Sequence, residues 1–78
     1  MPTIAVEVTE RTGASLAELV ERCNEADRVR GGATSDGELT VPDFLAMLAQ
    51  DAAYIIHRPG SWEATNMRDV LHSHGYEV

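Results

Sequence analysis

The chain has no lysine: all six basic residues are arginine, set against thirteen acidic ones for a net charge of −7. A P-loop lysine, a Schiff-base lysine and a lysine-rich phosphate-binding face are therefore excluded, because each of those chemistries needs the ammonium group. Scarce positive charge also argues against nonspecific attraction to nucleic acid, which rests on clustered cations neutralising phosphates. Cysteine is almost absent. Cys23 alone can form no intrachain disulfide and offers no paired-cysteine zinc spacing, so a reducing, cytoplasmic setting is the default expectation. No apolar run approaches the roughly 20 residues that span a bilayer, and M-P-T-I-A-V-E-V lacks the basic-then-apolar pattern of a secretory signal. A soluble protein retained in the cell, with no membrane partner, is expected. A single small domain, 1–78, is also expected, and a lone core of that size supplies no more than about 3–5 kcal/mol. Formation of a homodimer would be an ordinary remedy.

The most apolar stretch, Val41–His57, reads V-P-D-F-L-A-M-L-A-Q-D-A-A-Y-I-I-H. At roughly 100° per residue Val41, Phe44, Leu45, Leu48, Ala52, Ile55 and Ile56 share one broad arc, which predicts a helix with a wide buried face. Pro42 fits its first turn, where a missing N–H costs nothing, and Thr40 with Asp43 has capping-box spacing. Met47 and Tyr54 fall on the polar side of this helix, framed by Asp43, Gln50 and Asp51. Methionine and aromatic side chains are enriched at the centres of protein interfaces, so these five residues form a candidate partner-binding surface. Burial of Met47 and Tyr54 under the third helix is the competing structural reading.

Residues Thr3 to Val8 alternate, Ile4, Val6 and Val8 on one side and Thr3, Ala5 and Glu7 on the other, which is the period of a half-buried strand. A strand needs a neighbour: the C-terminal tail Tyr76-Glu77-Val78, the segment Glu38 to Val41, or a second copy of the chain. Ser15 with Glu18 predicts a capping box that opens a helix, along which Leu16, Leu19, Val20, Cys23, Ala26 and Val29 form an apolar stripe and Glu18 can pair with Arg22. Cys23, within the stripe, reads as a buried structural thiol. Residues 30–38, R-G-G-A-T-S-D-G-E, predict a flexible loop whose glycines lack phosphate-binding spacing.

Arg58-Pro59-Gly60 stops the second helix and Ser61 can cap a third, with Ala64, Met67, Val70, Leu71 and His74 on one face and Gly75 as its left-handed C-terminal residue. Trp62, at the start of that helix, either locks it to its predecessor or stays partly exposed as a binding anchor. The fold class expected is α+β and mainly helical: three helices organised around a central one at about 41–57, with a short N-terminal strand paired to the tail or to a second chain.

Several chemistries can be weighed on these residues. A helix-turn-helix spanning Val41 to His74 would ask its third helix to contact phosphates and bases, yet that helix carries Arg68 against Glu63 and Asp69. A strand followed by two helices resembles the ribbon-helix-helix DNA-binding regulators, but Thr3, Ala5 and Glu7 stand where groove-reading strands want cationic or amide groups. Gly13-Ala14-Ser15-Leu16 resembles, over four residues, the attachment-serine motif of acyl and peptidyl carrier proteins; here an N-cap explains the same serine. Metal binding by His72, His74 and Cys23 would need the last helical turn to unwind, since residues two apart on a helix point in different directions. Asp43 and Asp51 lie roughly 12 Å apart along a helix axis, too far for a glycosidase pair. Ser15, Ser35, Ser61 and Ser73 have no nucleophile-elbow context. The sequence thus points away from an enzyme, from cofactors and from nucleic acid, and towards recognition of another protein, as a small acidic regulator or inhibitor. Should Asp43, Asp51, Glu63 and Asp69 share a surface, they could imitate nucleic-acid phosphates.

Overall fold

Three helices account for all the regular structure: α1 over Glu10–Val29, α2 over Val41–His57 and α3 over Trp62–Ser73. The computed structural model describes residues 1–78, and they fall into two compact units, Met1–Val41 and Pro42–Val78. The fold is all-helical, so the helical part of the expectation holds and the strand does not. Residues 1–8 lie outside any element, are exposed, and take part in no backbone hydrogen bond. The tail Tyr76-Glu77-Val78 is likewise exposed and irregular. Period-two patterning states which face a strand would bury, but it creates no neighbouring edge, and none exists within these residues.

The start of α1 also differs. Thr9, not Ser15, is the N-cap: its Oγ1 accepts from the Thr12 N–H at 3.1 Å and donates to the Thr12 hydroxyl at 3.0 Å, and Glu10 occupies the first turn. The helix then runs through Gly13. A cap at Thr9 satisfies the same kind of orphan N–H that Ser15 would, and the earlier start puts an acidic residue at the positive end of the dipole. Ser15 becomes a helical residue; Glu18 pairs instead with Arg22 at 3.0 Å, the expected i, i+4 contact. A serine inside a helix no longer matches the carrier-protein motif, in which it would head the helix.

The stripe that α1 protects is rotated from the apolar one. Val20 is buried and Leu16, Cys23 and Asn24 are half-buried, while Leu19, Ala26 and Val29 face solvent. Asp27, 5% exposed, continues the protected row. Asn24 and Asp27 displace the apolar positions because they satisfy groups of the loop that follows. Asn24 clamps Leu39 at both backbone atoms, Nδ2 donating to the carbonyl at 2.9 Å and Oδ1 accepting from the N–H at 2.7 Å. The Thr34 hydroxyl donates to Asp27 Oδ1. Arg28 adds Glu25 at 2.8 Å and Glu38 at 3.3 Å, with Glu21 at 3.9 Å. The hydrogen bond to Glu25 raises the Arg28 pKa further above its ordinary value, helped by the charge of Glu25 and by Glu38, with lost hydration opposing.

α1 ends in a Schellman motif. Gly31 (φ 63°) donates to the Arg28 carbonyl at 3.0 Å and Gly32 to that of Asp27 at 2.8 Å.

In the second unit the expected boundaries hold. α2 closes at Arg58, whose N–H reaches the Tyr54 carbonyl at 2.8 Å, and the turn is shut by Ser61 N–H on the Arg58 carbonyl at 3.0 Å. Ser61 Oγ caps α3, accepting from Ala64 N–H at 3.1 Å. At the far end Gly75 (φ 91°) donates to His72 at 2.9 Å and Tyr76 to Leu71 at 3.0 Å, the Schellman pair expected there. The packing expected of α2 is a different matter, because it is not a central helix. Phe44 is its only buried residue; Val41, Leu45, Leu48, Ala52 and Ile55 are half-buried, and Ile56 is 84% exposed. Along α3, Ala64 is buried and Met67 and Leu71 half-buried, whereas Val70 and His74 are exposed. No helix is long and apolar enough to cross a membrane.

Candidate functional site

The second unit carries all six candidate contact residues, five along α2 and Trp62 at the first position of α3. Asp43 and Gln50 are exposed, while Met47, Asp51 and Tyr54 are half-buried. Met47 and Tyr54 are therefore neither sealed in a core nor fully displayed. Trp62 is 67% exposed, an unusual place for the chain's one indole. It is not a lock buried between helices.

Tyr54 sits at the centre of a small polar-aromatic group. Gln50 Nε2 donates to its hydroxyl at 3.0 Å. His57 meets the ring edge-on, with centroids 5.1 Å apart and planes at 82°. The Arg58 guanidinium lies 5.0 Å from the ring centroid. Edge-to-face and cation–π contacts of this kind contribute about 0.5–1.5 kcal/mol each, enough to limit the rotamers of Tyr54. His57 and Arg58 were not among the six residues expected from the sequence to make the contact. Their positions, three and four after Tyr54, are the helical-neighbour spacing that could have revealed them.

The acidic residues do not form one uniform face. Asp43 and Asp69 are exposed, but Asp51 and Glu63 are half-buried. Glu63 and Asp69, six residues apart, are turned roughly 120° from each other around α3.

No group of three or more His, Cys, Asp and Glu residues is placed to hold a metal ion. His72 lies in the last turn of α3 and His74 is its C-cap, while Cys23, half-buried, belongs to the other unit. His72 also lines an open recess of about 490 Å³ with Gly75, Glu77 and Val78. Of the serines, Ser61 is the α3 cap and Ser73 Oγ donates to the Val70 carbonyl at 2.6 Å. Arg68, the one cation of α3 considered for DNA contact, donates to the Pro59 carbonyl at 2.9 Å. What the arrangement offers chemically is a half-buried tyrosine with polar and aromatic neighbours on α2 and an exposed indole at the start of α3. No known protein family, characterised protein or solved structure matches the chain.

Proposed function

We propose that the chain is a small acidic, non-catalytic protein–protein interaction module, a regulator or inhibitor of another protein, and that Tyr54 and Trp62, with Met47, Asp43, Gln50 and Asp51, make its contact. The observation carrying this reading is the exposure of Trp62, 67% open to solvent beside a helix whose Ile56 is also uncovered. Tryptophan is enriched among binding hot spots, able to bury a large apolar area while its N–H finds a polar partner. Tyr54, pinned by Gln50, His57 and Arg58, brings a second aromatic whose side-chain freedom is already reduced, so little ordering is left for binding to impose. With a net charge of −7 the partner expected is basic around an apolar pocket.

The test is capture of partners from the native host by the immobilised chain, followed by affinity measurement on the partner recovered. Trp62→Ala should weaken that complex roughly thirtyfold, the size of a hot-spot truncation, with an unchanged far-UV spectrum. Equal binding by wild type and Trp62→Ala would remove the proposal.

A further inference from the structure

We infer that residues Thr3–Val8 form an antiparallel β-ribbon with the same segment of a second copy of the chain, centred on Val6. The segment is built for a strand: β-branched residues alternate on one face, Ile4 is 85% exposed, Val6 67% and Val8 53%, and no backbone hydrogen bond engages it. Its ends are set by chemistry. Pro2 has no N–H to donate, and Thr9 is the N-cap of α1, so residues 3–8 have the usual length of a strand, about 5–6 residues. Within residues 1–78 no strand offers an edge to pair with.

Self-pairing suits this segment in a specific register. With Val6 on the twofold axis, Ile4 faces Val8 of the second copy, Val6 faces Val6 and Val8 faces Ile4, which gathers the isoleucine and valine side chains of both copies on one face. On the other face Glu7 lies opposite Ala5, so the two glutamates never stand directly across from each other. Val8, at the end of that face, lies beside the first turns of α1: a Cβ built on Gly13 would lie 3.9 Å from Val8 Cγ2, ordinary contact distance. The surface is isologous, as a twofold dimer requires.

The test uses the full chain and reads oligomeric state by sedimentation over a range of concentrations. Wild type should dimerise reversibly. Val6→Asp, which sets two carboxylates face to face on the axis, should raise the dissociation constant roughly tenfold or more, while Glu7→Gln on the opposite face should leave it within about twofold. Because the segment is exposed and outside the helices, the helical spectrum of every variant should match wild type. Register is read by cross-linking. In a Cys23→Ser background Val6→Cys should form an intermolecular disulfide on mild oxidation, since directly opposed antiparallel residues have Cα atoms about 4.5–5.5 Å apart, within disulfide reach. Ile4→Cys alone should not, but mixed with Val8→Cys it should. A monomer at every concentration, a dimer indifferent to Val6→Asp, or cross-linking through Ile4→Cys alone would each overturn the ribbon.

Discussion

Residues 30–40, which leave α1, and residues 58–61, which leave α2, are both glycine-bearing connections, yet they are held by different means. The short turn is closed by its own atoms, Ser61 N–H and Oγ on the Arg58 carbonyl at 3.0 and 2.8 Å, with Arg68 from α3 on Pro59. The longer loop is fastened by side chains of the helix it has just left: Asn24 on Leu39, Asp27 on Thr34 and Arg28 on Glu38. Length explains the contrast. Ordering each backbone residue costs about 1–2 kcal/mol, so a turn can close on local bonds, whereas a longer excursion returns to defined positions only if something upstream reaches out to it.

Removing the farthest anchor should therefore show the largest effect. Asn24→Ala deletes both bonds to Leu39 and leaves that residue's half-protected N–H and carbonyl to find water. A loss of about 1–3 kcal/mol in denaturant unfolding is expected, with hydrogen exchange at the Leu39 amide accelerated well beyond that at other loop amides. Asn24→Asp keeps the acceptor and loses the donor, so it should fall between. If Leu39 exchanges no faster in Asn24→Ala, the loop does not depend on its clamp and the contrast with the turn dissolves.

The turn should respond less. Ser61→Ala removes the α3 cap and the Oγ bond to Arg58, but the Ser61 N–H still closes the turn. A cost of about 1 kcal/mol is expected, and Ser61→Asp, which restores an acceptor for the Ala64 N–H, should recover most of it. Thermal melts followed by circular dichroism give both values. A Ser61→Ala loss larger than that of Asn24→Ala would reverse the order of the two connections.

The same division decides what could be read from the residues alone. The limits of α2 and the cap and Schellman ending of α3 were legible, because proline, glycine and serine act locally and have no rivals nearby. The protected face of α1 was not. Asn24 and Asp27 look like solvent-facing polar residues until their partners Leu39 and Thr34 are known, and nothing in helical periodicity announces a bond across a loop. At the candidate site the row from Asp43 to Tyr54 follows from helical spacing. The exposure of Trp62 does not, since an indole after a tight turn suits a core as well as a surface. Residues 3–8 failed for another reason: alternation describes what a segment does beside a neighbour, and these residues have none within the chain.

The smallest expected effect is also the one that separates the two possible starts of α1. With Thr9 as cap, Gly13 is a helical residue with right-handed φ, and a Cβ there meets only Val8 Cγ2 at 3.9 Å. Glycine inside a helix is worse than alanine by roughly 0.5–1 kcal/mol, mostly through the freedom it retains when unfolded. Gly13→Ala should therefore stabilise the chain by about that amount, seen as a higher denaturation midpoint with an unchanged slope. Were the helix to open at Ser15, Gly13 would lie in the connection before it, and alanine would bring no helical gain. A neutral or destabilising Gly13→Ala would move the cap from Thr9 to Ser15, and the end of the strand-forming segment, now fixed by the cap at Thr9, would move with it.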